Sequence, residues 1–462
     1  MNLRKFKLAA LIFLKFLSRN RKAFLAVAAI GTLLILSIVK FKPFIPLSLT
    51  EGIVGTYQEH DLPEPLTRLI TAGLTKTDEK GRVIGDLATG WEVNSDATNF
   101  KFRLKKDLYW SDGNRIKSQD LEFSIPDVEV SYPDEEVVEF KLKDSFSPLP
   151  SLLTKPLFKK GTLTGTGPFR IEAIEKSRIF ITKIILQPTK EGSYSKLIVR
   201  FYPNEKTAHL AFEIGEVQAL LGVNDTTFIS GNKVTTLKQI TNFTKIVSLL
   251  YNTKDPLLSN RSLRQALGYS APSIKDDVEA KTSISPSSWA YSSEVNDYLS
   301  NETQAKAALI RSKSFSSDEI FKKDIILTAS PQLENVGKQI VAAWQDLGVR
   351  AVLRVEGGIP QNFQVALLTQ SIPSDPDQYS LWHSTQTKTN LTKYSSARVD
   401  KDLEDGRKLI KEEDRKAKYG DFQRALLEDS PATFLYFPKF NVIYFKKTEG
   451  LLNQILPLQL PK

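Results

Sequence analysis

Phe100, Phe102 and Leu104 alternate with Lys101, Arg103 and Lys105, the period-two pattern of a strand with one buried and one solvated face. Asn94, Ser95 and Asp96 supply a turn before it, and Asp112-Gly113 a turn after it, because glycine tolerates positive φ and aspartate bonds its own main chain. Between residues 321 and 357 the period changes twice: DIILTA, ENVGKQIVAAWQDLG and VRAVLRV read strand, helix, strand, the βαβ alternation of a parallel sheet. Within that helix Val336, Ile340, Ala343, Trp344 and Leu347 share one face, which assigns Trp344 to a core. IVSLL (246–250) reads as an apolar strand, ATFLYFPKFNVIYF (432–445) as a strand-rich segment, and SKSFSSDE (312–319) as a surface loop.

The run AFLAVAAIGTLLILSIV (23–39) contains no charge; at about 1.5 Å per residue a helix there is roughly 25 Å long, enough for a bilayer core. Arg4, Lys5, Lys7, Lys15, Arg19, Arg21 and Lys22 precede it and only Lys40 and Lys42 follow, so the positive-inside rule puts the N-terminus in the cytoplasm. The expectation is an uncleaved single-pass anchor at 23–42 in the cell membrane. A basic segment, 1–22, would lie at the inner surface and the body outside the cytoplasm. A cleaved signal peptide is the alternative, but the apolar run exceeds a usual h-region and no small-x-small site follows. Composition then changes meaning: of the formal charge of +10, nine of the 63 basic residues fall in residues 1–50, which hold no acid, leaving 54 basic against 53 acidic. A near-neutral body offers no basic face for nucleic acid. The chain has no cysteine, which excludes disulfides, thiolate metal ligands and a cysteine nucleophile. A length of 462 residues allows two or three domains.

The block 86–124, DLATGWEVNSDATNFKFRLKKDLYWSDGNRIKSQDLEFS, resembles the family 5 extracellular solute-binding proteins, the peptide- and nickel-binding receptors of ABC importers. The likeness continues through GLTKTDEKGRVIGDLATGWEV (73–93), GTGPFRI (165–171), YNTKDPLLSNRSLRQALGYS (251–270), SDPDQYSLW (374–382), NLTKYSSARVDKDLEDGRK (390–408) and KYGDFQRALLEDSPATFLYFP (418–438). The resemblance implies an α/β, two-lobed periplasmic-binding-protein-like fold of class II (cluster C type) with a small extra subdomain, here preceded by one transmembrane helix. Lobe one would comprise 43–75, 161–247 and 433–462, its small subdomain 76–160, and lobe two 248–432, with Tyr251 and Asn252 at the hinge. It implies no enzyme and no cofactor, but a monomeric receptor that takes an oligopeptide and meets ABC permease subunits. A sensor without transport, or a binder of a nickel complex or sugar, is the alternative. Two departures stand out. Pro126 follows DLEFS where the family continues a helix, and should end it within a turn. The lipid-bearing cysteine of many relatives is absent, its tether replaced by the apolar helix.

Clefts for extended ligands need aromatic walls and a few orienting charges. Tyr57, Glu59 and Asp61 in TEGIVGTYQEHDLPEP (50–65), Trp289 and Tyr291 in SPSSWAY (285–291), and Asp375, Asp377, Tyr379 and Trp382 in SDPDQYSLW are the candidates. Many peptide-binding relatives carry, three residues before the position of Asp375, an aspartate that pairs with the peptide's amino terminus. Ile372 stands there, so a free α-amino group would lose a charge-assisted bond of about 1.5–3 kcal/mol, unless Asp375 or Asp377 substitutes. The histidines, His60, His209 and His383, lack metal-ligand spacing, and Gly165-Thr-Gly167 reads as a turn, not a dinucleotide site. Ser193 and Lys196 fit S-x-x-K, and Ser230 and Asn232 fit S-x-N, as in penicillin-binding hydrolases. No K-T-G follows, since Lys447-Thr448 leads to Glu449.

Overall fold

The computed structural model describes residues 48–293, 298–314 and 322–461. Its first sheet has seven strands in the order Thr235–Thr241, Lys439–Phe445, Ala219–Leu221, Ser48–Val54, Lys196–Tyr202, Phe180–Pro188 and Phe169–Ser177. Period two distributes its side chains. Ala219, Leu221, Val442 and Tyr444 turn to one face, under the helices Glu64–Ile70 and Glu449–Gln459, with Leu66, Leu69, Leu452 and Ile455. Leu220 and Ile443 turn to the other, against Ala208, Ala211 and Phe212 of the helix Glu205–Glu213. The central strands are thus buried on both faces, and that is lobe one.

The second sheet has six strands in the order Val278–Glu279, Ala432–Phe437, Lys245–Tyr251, Val365–Ser371, Ile325–Ala329 and Ala351–Val355. The predicted βαβ unit is present: Ile325–Ala329 pairs parallel with Ala351–Val355, across the helix Glu334–Asp346. Trp344 is fully buried and its indole N–H donates to the Leu267 carbonyl at 3.0 Å. Helices Ala397–Lys408 and Glu412–Asp429 pack on the opposite face.

A four-stranded sheet, in the order Ala88–Val93, Asn99–Leu104, Val137–Leu142 and Val128–Asp134, forms the small subdomain. Phe100, Phe102 and Leu104 are buried there and Lys101 and Arg103 exposed, as their alternation predicts. The Asn94 carboxamide accepts from the Thr98 and Asn99 N–H groups, and Gly113 has φ +88°, so both predicted turns form. After Ser118–Asp120 the chain has no further helix before the strand Val128–Asp134, as Pro126 requires.

The lobe boundaries differ from the expected ones. Lys245–Tyr251 pairs with Val365–Ser371 and Ala432–Phe437, so residues 245–247 and 433–437 belong to lobe two. Pro438 splits the strand-rich 432–445 run between the two sheets. Ser312–Ser314 ends the helix Glu302–Ser314, not a loop; residues 315–319 lie outside the described residues. So do the segments 1–22 and 23–42. Among the described residues no helix is long and apolar enough to cross a membrane.

Candidate ligand cleft

The lobes are joined where two strands leave one sheet for the other. Thr235–Thr241 ends at Asn242 and Lys245–Tyr251 begins three residues on; beside it Pro438 separates Ala432–Phe437 from Lys439–Phe445. The Asn242 N–H donates to the Pro438 carbonyl at 2.8 Å, and the Asn242 side chain accepts from the Thr244 N–H at 3.0 Å and hydroxyl at 2.7 Å. The rings of Phe243 and Phe437 meet edge to face at 5.2 Å. Asn242–Thr244 and Pro438 therefore form the crossing. Tyr251 and Asn252, expected at the hinge, lie inside lobe two. Tyr251 is fully buried with its hydroxyl 2.9 Å from that of Thr433, and Asn252 donates to the Phe363 carbonyl at 3.1 Å.

In the subdomain, Thr75–Thr77 and Val83–Gly85 pair as a hairpin, and its turn reaches across to lobe two. Gly81 has φ +71°, and a Cβ there would sit 2.6 Å from the Ser287 carbonyl and 2.8 Å from Ser288 Cα. Only a glycine lets the two backbones approach so closely. The turn divides the interlobe space. The larger chamber, about 660 Å³, is walled by the hairpin (Lys76 to Ile84), the crossing (Thr241, Phe243, Thr244), Ser285, Ser287 and Ser288, Ile372 to Ser374, and Pro457, Leu460 and Pro461. The smaller, about 170 Å³, lies between Trp91, Phe100 and Ser147 of the subdomain and Trp289, Asp375 and Arg415 of lobe two. The larger volume falls within the range of small-molecule sites, roughly 300–1,000 Å³.

Two arginines order lobe two's side. Arg415, Tyr419 and Gln423 share the inner face of Glu412–Asp429, four residues apart. Arg415 and Asp375 are 7% and 6% exposed and pair at 2.6 Å; a charge so buried needs its partner. Burial works against the Arg415 charge, but Asp375 and Tyr419 outweigh it and hold its pKa above the usual arginine value. Trp289 covers the guanidinium at 5.2 Å. Arg407 pairs with Asp377 at 2.9 Å and lies 4.0 Å over the Tyr379 ring and 4.9 Å over Phe146 of the subdomain. Its carbonyl accepts the Ser147 N–H at 2.8 Å. Burial pushes the Asp377 carboxyl up, with Arg407 opposing.

Trp289, Ile372 and Asp375 thus line the chambers, while Asp377 and Tyr379 hold Arg407 at the lobe contact. The other candidates do not converge. Trp382 is core, donating to the Gln378 side chain at 2.9 Å, and Tyr291 packs against the same core. Tyr57 donates its hydroxyl to the Val54 carbonyl at 3.1 Å and meets Phe201 at 5.2 Å. Glu59 pairs with Lys176 at 2.7 Å, and Asp61 is exposed. These three line neither chamber. Sequence reasoning missed Arg407 and Arg415, which read as ordinary charges on polar helices, and the DEKGR turn (78–82), whose Asp and Gly signal a turn but not what it touches. The hydrolase alternative fails: the Ser193 hydroxyl donates to the Lys190 carbonyl at 2.6 Å and Lys196 pairs with Glu172 at 2.6 Å. Among the described residues no group of three or more His, Asp or Glu could hold a metal ion.

Two α/β lobes, a double crossing and chambers walled from both sides define a bilobal binding protein. The chain belongs to the bacterial extracellular solute-binding proteins, family 5 Middle, whose profile matches residues 82–393; it is a solute-binding protein, not an enzyme. It is similar to the oligopeptide-binding protein AppA of Bacillus subtilis (strain 168), 24% identical over 472 residues, covering 85% of each chain. Among solved structures it is similar to the ABC transporter substrate binding protein CtaP from Listeria monocytogenes, with TM-score 0.72, 16% identity, and 87% of this chain and 94% of that one covered. It is also similar to NikZ from Campylobacter jejuni in complex with Ni(L-His), with TM-score 0.69, 20% identity, and 86% and 94% covered.

Proposed function

We propose that this chain is a single-pass receptor, anchored by 23–42 with its N-terminus in the cytoplasm. It captures a solute, foremost an oligopeptide, between its lobes outside the cytoplasm and delivers it to an ABC permease. The observation that carries capture is the larger chamber, walled at once by both lobes and the crossing. A ligand there touches surfaces that separate when the lobes do, so it favours closure by its differential affinity for the two states. The similarity to an oligopeptide-binding protein over most of both chains supports peptide as the cargo. Trp289, Ile372 and Asp375 are the candidate cleft contacts.

The test uses the full chain in detergent micelles. Mass spectrometry of material released from the native preparation is expected to find peptides, and calorimetry with a peptide library should find binders that contract the particle in small-angle scattering. If no peptide binds and none changes the radius of gyration, the oligopeptide assignment falls. Recovery of the full chain in the membrane fraction, and release on deletion of residues 1–42, tests the anchor.

A further inference from the structure

Among the described residues, the charged side chains that line the larger chamber are already paired, with one exception. Asp78 accepts from the Lys80 and Arg82 N–H groups, both at 2.9 Å, and pairs with the Arg82 guanidinium at 3.2 Å. Lys76 pairs with Asp86 at 3.2 Å. Among the described residues, Glu79, exposed at the rim, has no partner, and no unpaired cation lines the chamber. The remaining polar groups are hydroxyls, some bonded to one another: Ser285 and Ser287 lie 2.8 Å apart. Ile84, Phe243, Ile372, Pro373, Pro457 and Leu460 make the apolar wall.

Among the described residues a carboxylate carried into this space would meet only Lys76, already held by Asp86, and burying an unpaired charge costs far more than burying a hydrogen-bonded neutral group. Among the described residues the one unpaired acid an ammonium would find is Glu79, in solvent, where an ion pair contributes little. Hydroxyls serve neutral carbonyls and amides well. From this census we infer that the larger chamber selects an uncharged, largely apolar ligand: a peptide whose ends within the chamber are blocked or joined, not a free zwitterion. This rests on the peptide reading above.

Calorimetry on the full chain in micelles tests it, with one apolar tetrapeptide in two forms, N-acetylated and C-amidated or with both ends free. The blocked form is expected to bind about tenfold more tightly or better. Glu79→Gln should leave its affinity within about twofold, since an exposed charge contributes little. Ile372→Asp, with folding checked by thermal melting, should narrow the preference by improving the free-amine peptide. Equal or tighter binding of the free peptide to the native chain overturns the inference and leaves the peptide reading standing, and a large loss on Glu79→Gln also overturns it. Failure of both peptides, together with the library, removes the peptide reading and the inference with it.

Discussion

Glu51 is fully buried on the central strand Ser48–Val54, and among the described residues its carboxyl group's only hydrogen bond comes from the Gln459 amide, Nε2 to Oε2 at 2.7 Å. Its Oε1 and the Oε1 of Gln459 are both buried without a partner. Two acceptors cannot satisfy each other, but one proton on Glu51 supplies the missing donor for a reciprocal acid–amide pair. Burial pushes this carboxyl from 4.5 up to about 7, against the pull of the Gln459 bond. The folded chain therefore binds the proton more tightly than the unfolded chain. Its stabilising contribution is complete below about pH 4.5 and is lost as pH rises through about 7, a difference of about 3 kcal/mol. Glu51→Gln provides the donor without the proton. Urea unfolding should show the variant close to the native chain at pH 5 and more stable by about 2–3 kcal/mol at pH 8; a difference independent of pH would refute the account. Asp375 invites the opposite change. Asp375→Asn leaves Arg415 buried without its counter-charge, and the same measurement should register a loss of about 3 kcal/mol. Neither role was legible in the sequence: a lone glutamate in a strand, and an aspartate in an Asp-Pro-Asp turn, reveal nothing of the residues that fold against them.

The turn 78–82 is where one element sets the spacing of two lobes. Gly81→Ala adds a Cβ into lobe two's backbone and strains a positive φ of 71°, whereas Gly113→Ala meets a similar φ of 88° with nothing within 4 Å. The left-handed strain, about 1 kcal/mol, is common to both, and the clash belongs to Gly81 alone. Small-angle scattering should therefore show a larger radius of gyration for Gly81→Ala only, with comparable falls in melting temperature. Equal radii would mean that the turn yields without moving the lobes. Such juxtapositions separate what was legible from what was not. The strand Asn99–Leu104 and the βαβ unit at 325–355 follow from periods that each segment carries within itself. The crossing does not, because 246–251 and 432–445 have strand character throughout, and which sheet a strand joins is decided by distant partners. Pro438 was the available signal: it has no N–H to give a ladder, and it stands where the chain changes sheets.

For the molecule as a whole, Arg407 is a second place, beside the Gly81 turn, where the subdomain and lobe two meet. Its guanidinium lies between Phe146 and Tyr379, Tyr379 is backed by His383 at 4.0 Å, and its carbonyl takes the Ser147 N–H. The ion pair with Asp377 lies within lobe two and persists whether or not the lobes touch; only the Phe146 contact and the Ser147 bond depend on closure. Arg407→Lys keeps a charge for Asp377 and the backbone bond but removes the planar stack on Phe146, a change of about 1 kcal/mol in the closed state, or roughly fivefold in the open–closed equilibrium. Because the chain has no cysteine, Lys106→Cys in the subdomain and Lys416→Cys in lobe two, both exposed, accept two fluorophores and nothing else does. Single-molecule energy transfer should then show the closed fraction falling in Arg407→Lys without ligand, while Arg424→Lys, whose exposed pair with Asp421 stays within one helix, should leave it unchanged. A saturating ligand that bridges the chambers should restore closure in the Arg407 variant, since its differential affinity adds to whatever bias the lobes already have. An unchanged distribution in Arg407→Lys would move the control of closure from this stack to the crossing at Asn242–Thr244.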